Sequence, residues 1–188
     1  MSNDLWEHVM IDIETLGGSP NGALMQIGAC PFSLETGEVG EPWVVNVSVK
    51  DAVKRGMQID VSTVGFWMGQ PEAWATLQND KQELGKALEM LRLGYNWSKL
   101  EGVWTNAPLF DFAIMRRAYE LVGCKAPWHY RQERCSRTLF YLARQIGEVA
   151  LPARSGIHHN AGDDARFQAQ FAVILFEAIR NGGREVER

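Results

Sequence analysis

The sequence has little cysteine and no long apolar run. These two features argue against a disulfide-rich protein and against a membrane-spanning protein. Its 188 residues include three cysteines, Cys30, Cys124 and Cys135. An odd number without metal-ligand spacing predicts reduced thiols rather than a disulfide framework or a zinc site. The apolar stretch at 171–176 is too short for a membrane span, which needs about 20 residues. The first residues lack the basic and apolar regions of a secretory signal, so we expect a cytoplasmic protein without a membrane partner.

Positive charge is also scarce. The formal net charge is −4, whereas proteins that bind a long stretch of nucleic acid usually present a basic surface. The segment 113–162 is an exception, with eight Lys or Arg against three acidic residues. An enzyme that engages only the last few nucleotides of a strand can work with such a small basic region. The charge balance therefore argues against a high-affinity duplex binder and is compatible with a nuclease.

The remaining composition is that of a globular protein, with 46% apolar and 22% charged residues. The length predicts one domain over 1–181 followed by a flexible tail at 182–188. Hydrophobic periodicity and turn residues predict strands at 8–14, 23–32, 43–49, 102–105 and 132–135. They predict helices at 60–69, 71–78, 81–95, 108–122, 136–147 and 162–181, with Ser136 as an N-cap. Short connections between the first three strands indicate an antiparallel meander, and the whole pattern indicates a mixed α/β sheet.

Two acidic residues interrupt the first apolar strand. Side chains alternate along a strand, so Asp12 and Glu14 share one face while Val9, Ile11 and Ile13 share the other. Two carboxylates about 7 Å apart on one face of a sheet repel each other. A hard divalent cation such as Mg²⁺ or Mn²⁺ would relieve that repulsion. Taken alone, the same pattern also fits a solvated strand face.

A third carboxylate begins a later helix. Asn106 is placed to serve as N-cap and Pro108 suits the first helical turn. Helical spacing from Asp111 reaches four apolar residues, Ile114, Met115, Ala118 and Val122. An acidic residue near a helix N-terminus often only stabilises the helix dipole at the surface. Because Asp111 lies on the face expected to be buried, a functional role is favoured.

The segment 158–164 offers two His/Asp pairs with the same separation, His158 with Asp163 and His159 with Asp164. Helix phase distinguishes them. The positions that share a face with Asp164 are mostly apolar, namely Phe167, Gln168, Phe171, Leu175 and Ala178. Those that share a face with Asp163 are polar. We therefore predict that Asp164 points toward the sheet, and that Asp163 faces solvent and helps to cap the helix.

Together, the three segments resemble the motifs of the DEDDh branch of the DnaQ-like 3′→5′ exonucleases. The matching residues are Asp12-Ile-Glu14-Thr15, then Asn106 through Phe110-Asp111, then His159-x-Ala161-x-x-Asp164-Ala165. The three motifs occur in the order found in the family, and the resemblance extends from residue 8 to about 175. The segments 63–67 and 135–139 are similar to the small exoribonuclease group related to RNase AS, described in phages as exonuclease VIII-like. Gly162 departs from the family, which has a larger apolar residue there, and this departure predicts a looser loop at His159.

The resemblance implies a ribonuclease H-like fold and metal-dependent hydrolysis at the free 3′ end of single-stranded RNA or DNA, releasing nucleoside 5′-monophosphates. It makes Asp12, Glu14, Asp111 and Asp164 the ligands of two divalent ions, Mg²⁺ or Mn²⁺. His159 would be the general base, because the pKa of histidine lies near neutrality. The alternative is a catalytically idle module that binds nucleic acid or a nucleotide. A homodimer is compatible with the resemblance.

Substrate contacts are also predicted by the resemblance. They are Thr15, Leu16, Trp67, Asn106, Phe110 and Arg137. Leu16 and Phe110 would pack against the terminal nucleotide, and Trp67 would stack on a base. The planar guanidinium of Arg137 could hold a phosphate or a sugar, although capping of a surface helix fits it equally well. The core is expected to contain Trp43, Trp74, Trp97 and Trp104.

Overall fold

The computed structural model describes residues 6–145, 147 and 149–181. The predicted tail at 182–188 lies outside the described residues, as do positions 1–5 of the predicted domain. No helix in the described part of the chain is both long and apolar enough to cross a membrane.

In the described part of the chain, five strands form one mixed sheet in the order β3-β2-β1-β4-β5. They are β1 (His8–Thr15), β2 (Leu24–Phe32), β3 (Trp43–Asn46), β4 (Gly102–Thr105) and β5 (Glu133–Cys135). β2 pairs antiparallel with both β1 and β3, whereas β4 runs parallel to β1 and to β5. The predicted meander followed by alternating helices and strands is confirmed.

Among the described residues there are seven α-helices. They are α1 (Val49–Lys54), α2 (Val61–Met68), α3 (Pro71–Thr76), α4 (Leu84–Gly94), α5 (Pro108–Leu121), α6 (Ser136–Arg144) and α7 (Ala161–Arg180). The third predicted strand, 43–49, is too long, and α1 was not predicted. The reason is Ser48, whose hydroxyl accepts a hydrogen bond from the Asp51 amide at 3.3 Å and caps α1.

The N-cap predicted for α6 is also wrong. Cys135 is the N-cap, and its sulfur accepts a hydrogen bond from the Thr138 amide at 3.4 Å. Ser136 lies one position later, where it is fully buried. Its hydroxyl donates to the carbonyl oxygen of Thr105 at 3.4 Å. The serine therefore joins the start of α6 to the end of β4 instead of capping the helix.

Strand alternation divides the core into two layers. Val9, Ile11 and Ile13 of β1 belong to one hydrophobic cluster, which also contains buried residues of α4 and α5. Met10 belongs to the other cluster, which is formed with α6 and α7. Asp12 alternates in phase with Met10, so it lies on the side of the sheet covered by α7. The fold thereby places acidic residues of β1 beneath the beginning of the longest helix.

α7 approaches β2 so closely that only glycine fits at one position. A Cβ atom on Gly28 would lie 2.0 Å from the carbonyl oxygen of Ala161, the first residue of α7. The helix is also fixed by Gln26 of β2, whose side-chain oxygen accepts a hydrogen bond from the Ala161 amide at 2.6 Å. The Gln26 amide nitrogen donates in turn to Asn46 of β3 at 2.8 Å. Two strands therefore position the N-terminus of α7.

Candidate active site

Three carboxylates meet between β1 and α7. Ligand oxygens of Asp12, Glu14 and Asp164 all lie within 4.8 Å of one another. The first two come from alternate positions of β1, and the third comes from the first turn of α7. Glu14 and Asp164 are buried, with 8% and 6% of their surface exposed. Asp164 thus points toward the sheet, as its helix phase predicts.

Asp111 reaches the same region from the first turn of α5 and is also buried. Asn106 does not cap this helix, contrary to prediction. The N-cap is Ala107, which has no capping side chain, and its amide donates to the Asp111 carboxylate at 3.0 Å. Asn106 instead accepts a hydrogen bond from the Ser136 hydroxyl at 3.3 Å. Asp111 therefore takes over the role of the missing cap from inside the helix.

The loop before α7 is held by side chains on both sides of the helix start. Asn160 is the N-cap, and its side chain accepts hydrogen bonds from the amides of Gly162 and Asp163 at 3.1 and 3.2 Å. The capping role predicted for Asp163 is therefore wrong. Asp163 is half-buried, and its carboxylate accepts a hydrogen bond from the Ile157 amide at 2.8 Å. That bond ties the preceding loop back onto the helix.

Gly162, the departure from the family pattern, faces β3. A Cβ atom at this position would lie 3.1 Å from the Cβ atom of Val44. That separation is tighter than ordinary van der Waals contact, so β3 occupies the space that a larger side chain would need. The effect of Gly162 on the loop at His159 stays a prediction.

His159 lies over the carboxylates. Its Nδ1 atom is 4.0 Å from Glu14 Oε1, and its backbone amide donates to Asp164 Oδ2 at 3.3 Å. The residue has a left-handed backbone with φ of 64°, a conformation that is uncommon outside glycine. Its ring meets the edge of Phe66 at a centroid distance of 5.0 Å. The strained backbone and the aromatic contact together aim the imidazole at the acidic cluster.

His158 stacks on His159 with a centroid distance of 3.9 Å. Its side chain is exposed, as predicted. Ligand atoms of the two histidines and of Asp164 nevertheless lie within 4.8 Å of one another. His158 is therefore close enough to the centre that its contribution has to be separated from that of His159 by experiment.

The buried carboxylates repel one another strongly. Burial, followed by the charges of Asp111, Glu14 and Asp164, raises the pKa of Asp12 well above its ordinary value. Burial and the charges of Asp164 and Asp111 raise the pKa of Glu14 to about 8. Burial raises the pKa of Asp111 to about 6, although the hydrogen bond from Ala107 opposes that rise. Such a cluster favours cations or protons, as a site for divalent metal ions does.

Gln168 and Arg154 were not predicted as site residues. Gln168 lies one helical turn after Asp164, and its amide nitrogen donates to Asp12 Oδ1 at 2.7 Å. Its other amide atom, Oε1, is buried and has no hydrogen-bond partner among the described residues. The sequence did carry a signal for Gln168, which is a polar residue in an otherwise apolar helix stripe. Arg154 forms an ion pair with Asp164 from a loop that has no periodicity to reveal its direction.

The predicted substrate contacts differ in how much of each side chain is exposed. Thr15, Leu16 and Trp67 are buried, and the Trp67 indole donates to the Thr15 carbonyl oxygen at 2.8 Å. Phe110 is half-buried and Arg137 is exposed. These contacts stay predictions.

Phe66, which was not predicted, is 44% exposed beside His159 and presents more ring surface than Trp67, which is 3% exposed.

A family model described as the 3′-5′ exoribonuclease Rv2179c-like domain matches residues 7–176. No curated protein sequence is significantly similar to this chain.

Solved structures with a similar fold include E. coli exonuclease I in complex with a dT13 oligonucleotide. That structure has a TM-score of 0.64 and 16% identity, and the match covers 93% of this chain and 41% of the other. The complex of the same enzyme with a dA16 oligonucleotide has a TM-score of 0.67 and 14% identity, with 93% and 43% covered. Cell-death related nuclease 4 has a TM-score of 0.62 and 16% identity, with 93% and 64% covered. The chain spans less than half the length of exonuclease I. These similarities confirm the predicted ribonuclease H-like fold class.

Proposed function

This chain belongs to the family of the 3′-5′ exoribonuclease Rv2179c-like domain, and we propose that it is a metal-dependent 3′→5′ exonuclease. Its substrate would be single-stranded nucleic acid with a free 3′ end, and its products nucleoside 5′-monophosphates. One observation carries the proposal: Asp12, Glu14 and Asp164 converge within 4.8 Å, and His159 lies 4.0 Å from Glu14. Sites for acid–base hydrolysis at metal ions need this combination of clustered oxygen ligands and a nearby proton acceptor.

The residues that would hold two divalent ions, Mg²⁺ or Mn²⁺, are Asp12, Glu14, Asp111 and Asp164. The donor set fits, since carboxylate oxygens are the ligands these ions prefer. Burial raises the pKa of Asp12, Glu14 and Asp111, and repulsion by neighbouring carboxylates adds to the rise for Asp12 and Glu14. Bound cations would relieve that repulsion. When bound, such ions lower the pKa of the attacking water and stabilise charge on the leaving 3′-oxygen.

His159 would accept the proton of the attacking water at a ring nitrogen. Burial and the neighbouring His158 lower the pKa of His159, so the ring is neutral and able to accept a proton at pH 7. The ring of Phe66 packs perpendicular to that imidazole. Gln168 holds one oxygen of Asp12, which leaves the other oxygen of this carboxylate for a cation.

Support for a single-stranded substrate comes from the exonuclease I structures that contain dT13 and dA16. The family description names an exoribonuclease, which favours RNA. The RNase AS-like placement, the homodimer and the cytoplasmic location stay predictions.

The alternative is an idle module that binds nucleic acid without cleaving it. The convergence of Asp12, Glu14 and Asp164 beside His159 argues against it, because a binding module does not need buried carboxylates that repel one another. Exchange of Mn²⁺ for Ca²⁺ distinguishes the two functions. An exonuclease should bind in Ca²⁺ and cleave in Mn²⁺, whereas a binding module should show no more turnover in Mn²⁺ than in chelator.

The decisive experiment is a time course on 5′-labelled single-stranded RNA and DNA of one sequence, with Mn²⁺. We expect a ladder that shortens from the 3′ end, with RNA degraded faster. A matched strand whose 3′ hydroxyl is blocked serves as the control for end dependence. Internal cuts at early times would contradict the exonuclease assignment, and faster loss of DNA would contradict the preference for RNA.

A further inference from the structure

Arg154 brings a positive charge into the acidic centre. Its guanidinium Nη1 pairs with Asp164 Oδ1, one of the proposed metal ligands. Its Cζ atom also lies 4.5 Å from the centroid of the Phe167 ring. The positive charge of Arg154 contributes to the lowered pKa of His159, which places the guanidinium near the imidazole as well. Arg154 is therefore a cation among the groups that would perform the reaction.

The pairing of Arg154 with Asp164 competes with a metal ion for the same oxygen. A carboxylate oxygen whose lone pair is directed at a guanidinium has to give up that hydrogen bond before it can ligate a cation fully. The Arg154 side chain is 34% exposed, whereas that of Asp164 is 9% exposed. Arg154 can therefore leave toward solvent at small cost, while Asp164 stays in the cluster.

The segment that carries Arg154 allows its guanidinium to move away from Asp164. Residues 149–160 contain neither helix nor strand, apart from a turn at 158–159. Ile157, three positions beyond Arg154, is anchored to Asp163. The backbone on the C-terminal side of Arg154 is thus held in place while the long side chain turns about it. Phe167 provides a flat surface along which the guanidinium can move.

We infer that Arg154 exchanges partners during the reaction and binds the phosphate of the 3′-terminal nucleotide. This inference rests on the proposed exonuclease function. Without divalent ions the guanidinium neutralises Asp164. When cations take over that carboxylate, Arg154 is freed within reach of the anionic substrate, whose phosphate oxygens match the planar guanidinium fork. Arg154 is a substrate-binding residue that also opposes metal binding in the free enzyme.

The exchange predicts opposite effects of one substitution on two affinities. Arg154→Met keeps the aliphatic length and removes the charge. Mn²⁺ should bind the variant about fivefold more tightly, because no guanidinium competes for Asp164. Single-stranded RNA in Ca²⁺ should bind about tenfold more weakly, because a charge-assisted hydrogen bond to phosphate is lost. KM should rise by a similar factor while kcat changes little.

The matched control is Arg144→Met. Arg144 also packs over a phenylalanine ring, with its Cζ atom 5.3 Å from the centroid of Phe140, and it lies in the last turn of α6. Its removal should leave both affinities within twofold of wild type, which separates the effect of Arg154 from a general loss of positive charge. Arg154→Lys keeps the charge without the fork, so its RNA affinity should fall between those of wild type and Arg154→Met.

Mn²⁺ affinity is measured by calorimetry without nucleic acid, and RNA affinity by fluorescence anisotropy in Ca²⁺. If Arg154→Met binds Mn²⁺ no more tightly than wild type, the competition is refuted. If its RNA affinity equals that of wild type, phosphate binding is refuted. Parallel losses of both affinities would show that Arg154 only supports the loop, and would also overturn the inference. Failure of the wild type to cleave any strand would contradict the proposed function instead, and the Mn²⁺ measurement would still decide whether Arg154 competes for Asp164.

Discussion

Asp12 carries a charge that is unfavourable in the folded protein and that the proposed metal site requires. Its charge is opposed by burial and by three neighbouring carboxylates. Gln168 satisfies one of its oxygens, and an asparagine oxygen could accept the same hydrogen bond. The position can therefore lose its charge without losing its place in the structure.

We expect Asp12→Asn to abolish cleavage and to raise the melting temperature of the metal-free protein. The charge that metal ions require is lost, and so is the repulsion that the charge causes. Rates of nucleotide release in Mn²⁺ and melting curves in chelator test both effects. Asp163→Asn is the control, because Asp163 lies outside the proposed ligand set and a side-chain oxygen is retained for the Ile157 amide. Near-wild-type turnover of Asp12→Asn would refute the proposed metal site.

The two adjacent histidines allow a second test at the scale of single residues. We expect His159→Ala to slow cleavage by about 10²–10⁴-fold, the usual contribution of a general base, and to leave Mn²⁺ affinity unchanged. His158→Ala should cost little. Because the pKa of His159 is lowered, the rising limb of the wild-type pH–rate profile should lie below the usual histidine range. Loss of activity in His158→Ala together with an active His159→Ala would show that the two roles are reversed.

At the scale of secondary structure, the acidic cluster depends on where α7 packs against the sheet. Its first turn supplies Asp164, and its N-terminus rests directly on Gly28 of β2. Sequence periodicity predicted the helix itself within one residue at each end. It could not predict the contact with Gly28, since the close approach depends on how the helix crosses the sheet.

Gly28→Ala should therefore damage both stability and activity. The added methyl group has no space beside the Ala161 carbonyl, so the start of α7 has to shift away from the sheet. Overpacking of this kind costs about 1–3 kcal/mol, and a displacement of about 1 Å at a catalytic group can cost 10²-fold in rate. Denaturant unfolding and Mn²⁺-dependent cleavage provide the measurements.

Gly65→Ala is a matched control for Gly28→Ala. Gly65 lies inside α2, and a Cβ atom there would have no neighbour within 4 Å. The change should raise the free energy of unfolding by about 0.5–1 kcal/mol, because alanine favours the helix. If Gly28→Ala were as stable as wild type, the close packing of α7 on β2 would not matter for the fold.

Some secondary-structure elements could be predicted from the sequence, and others could not. The strands, the longer helices and the inward direction of Asp164 follow from periodicity, which depends on burial. The errors concern helix starts. Asn106, Ser136 and Asp163 are suitable capping residues, yet each has another hydrogen-bond partner. Asn106 and Ser136 contact segments about 30 residues away, and Asp163 binds the loop that precedes its own helix. Gln26 and Gln168 were missed because their partners are distant in sequence. Arg154 was missed because its loop has no periodicity that would reveal the direction of the side chain.

For the whole molecule, the raised pKa values of the carboxylates predict how stability depends on pH. The folded protein holds protons on Glu14 up to about pH 8, whereas the unfolded chain releases them near 4.5. In that window the folded state binds more protons, so stability falls as the pH rises. His159, whose pKa is lowered, contributes the opposite slope below its ordinary value of 6.5. The net fall should therefore be clearest between pH 6.5 and about 8.

Melting temperatures in chelator across this range test the prediction. Glu14→Gln removes one of the raised groups and should make the fall less steep. Saturating Mn²⁺ should stabilise the wild type most at the alkaline end, because protons no longer compete with the ion there. A melting temperature that is constant or rises between pH 6.5 and 8 in chelator would contradict the raised pKa values.

The hydrogen bond between Gln168 and Asp12 joins residues 156 positions apart. Closing so long a loop carries a large entropic cost that only a nearly complete fold can offset. During synthesis, β1 with its two acidic residues leaves the ribosome long before α7. We therefore expect the acidic centre to assemble late in folding. The nuclease activity proposed for it should then appear only after α7 has packed against β1 and β2.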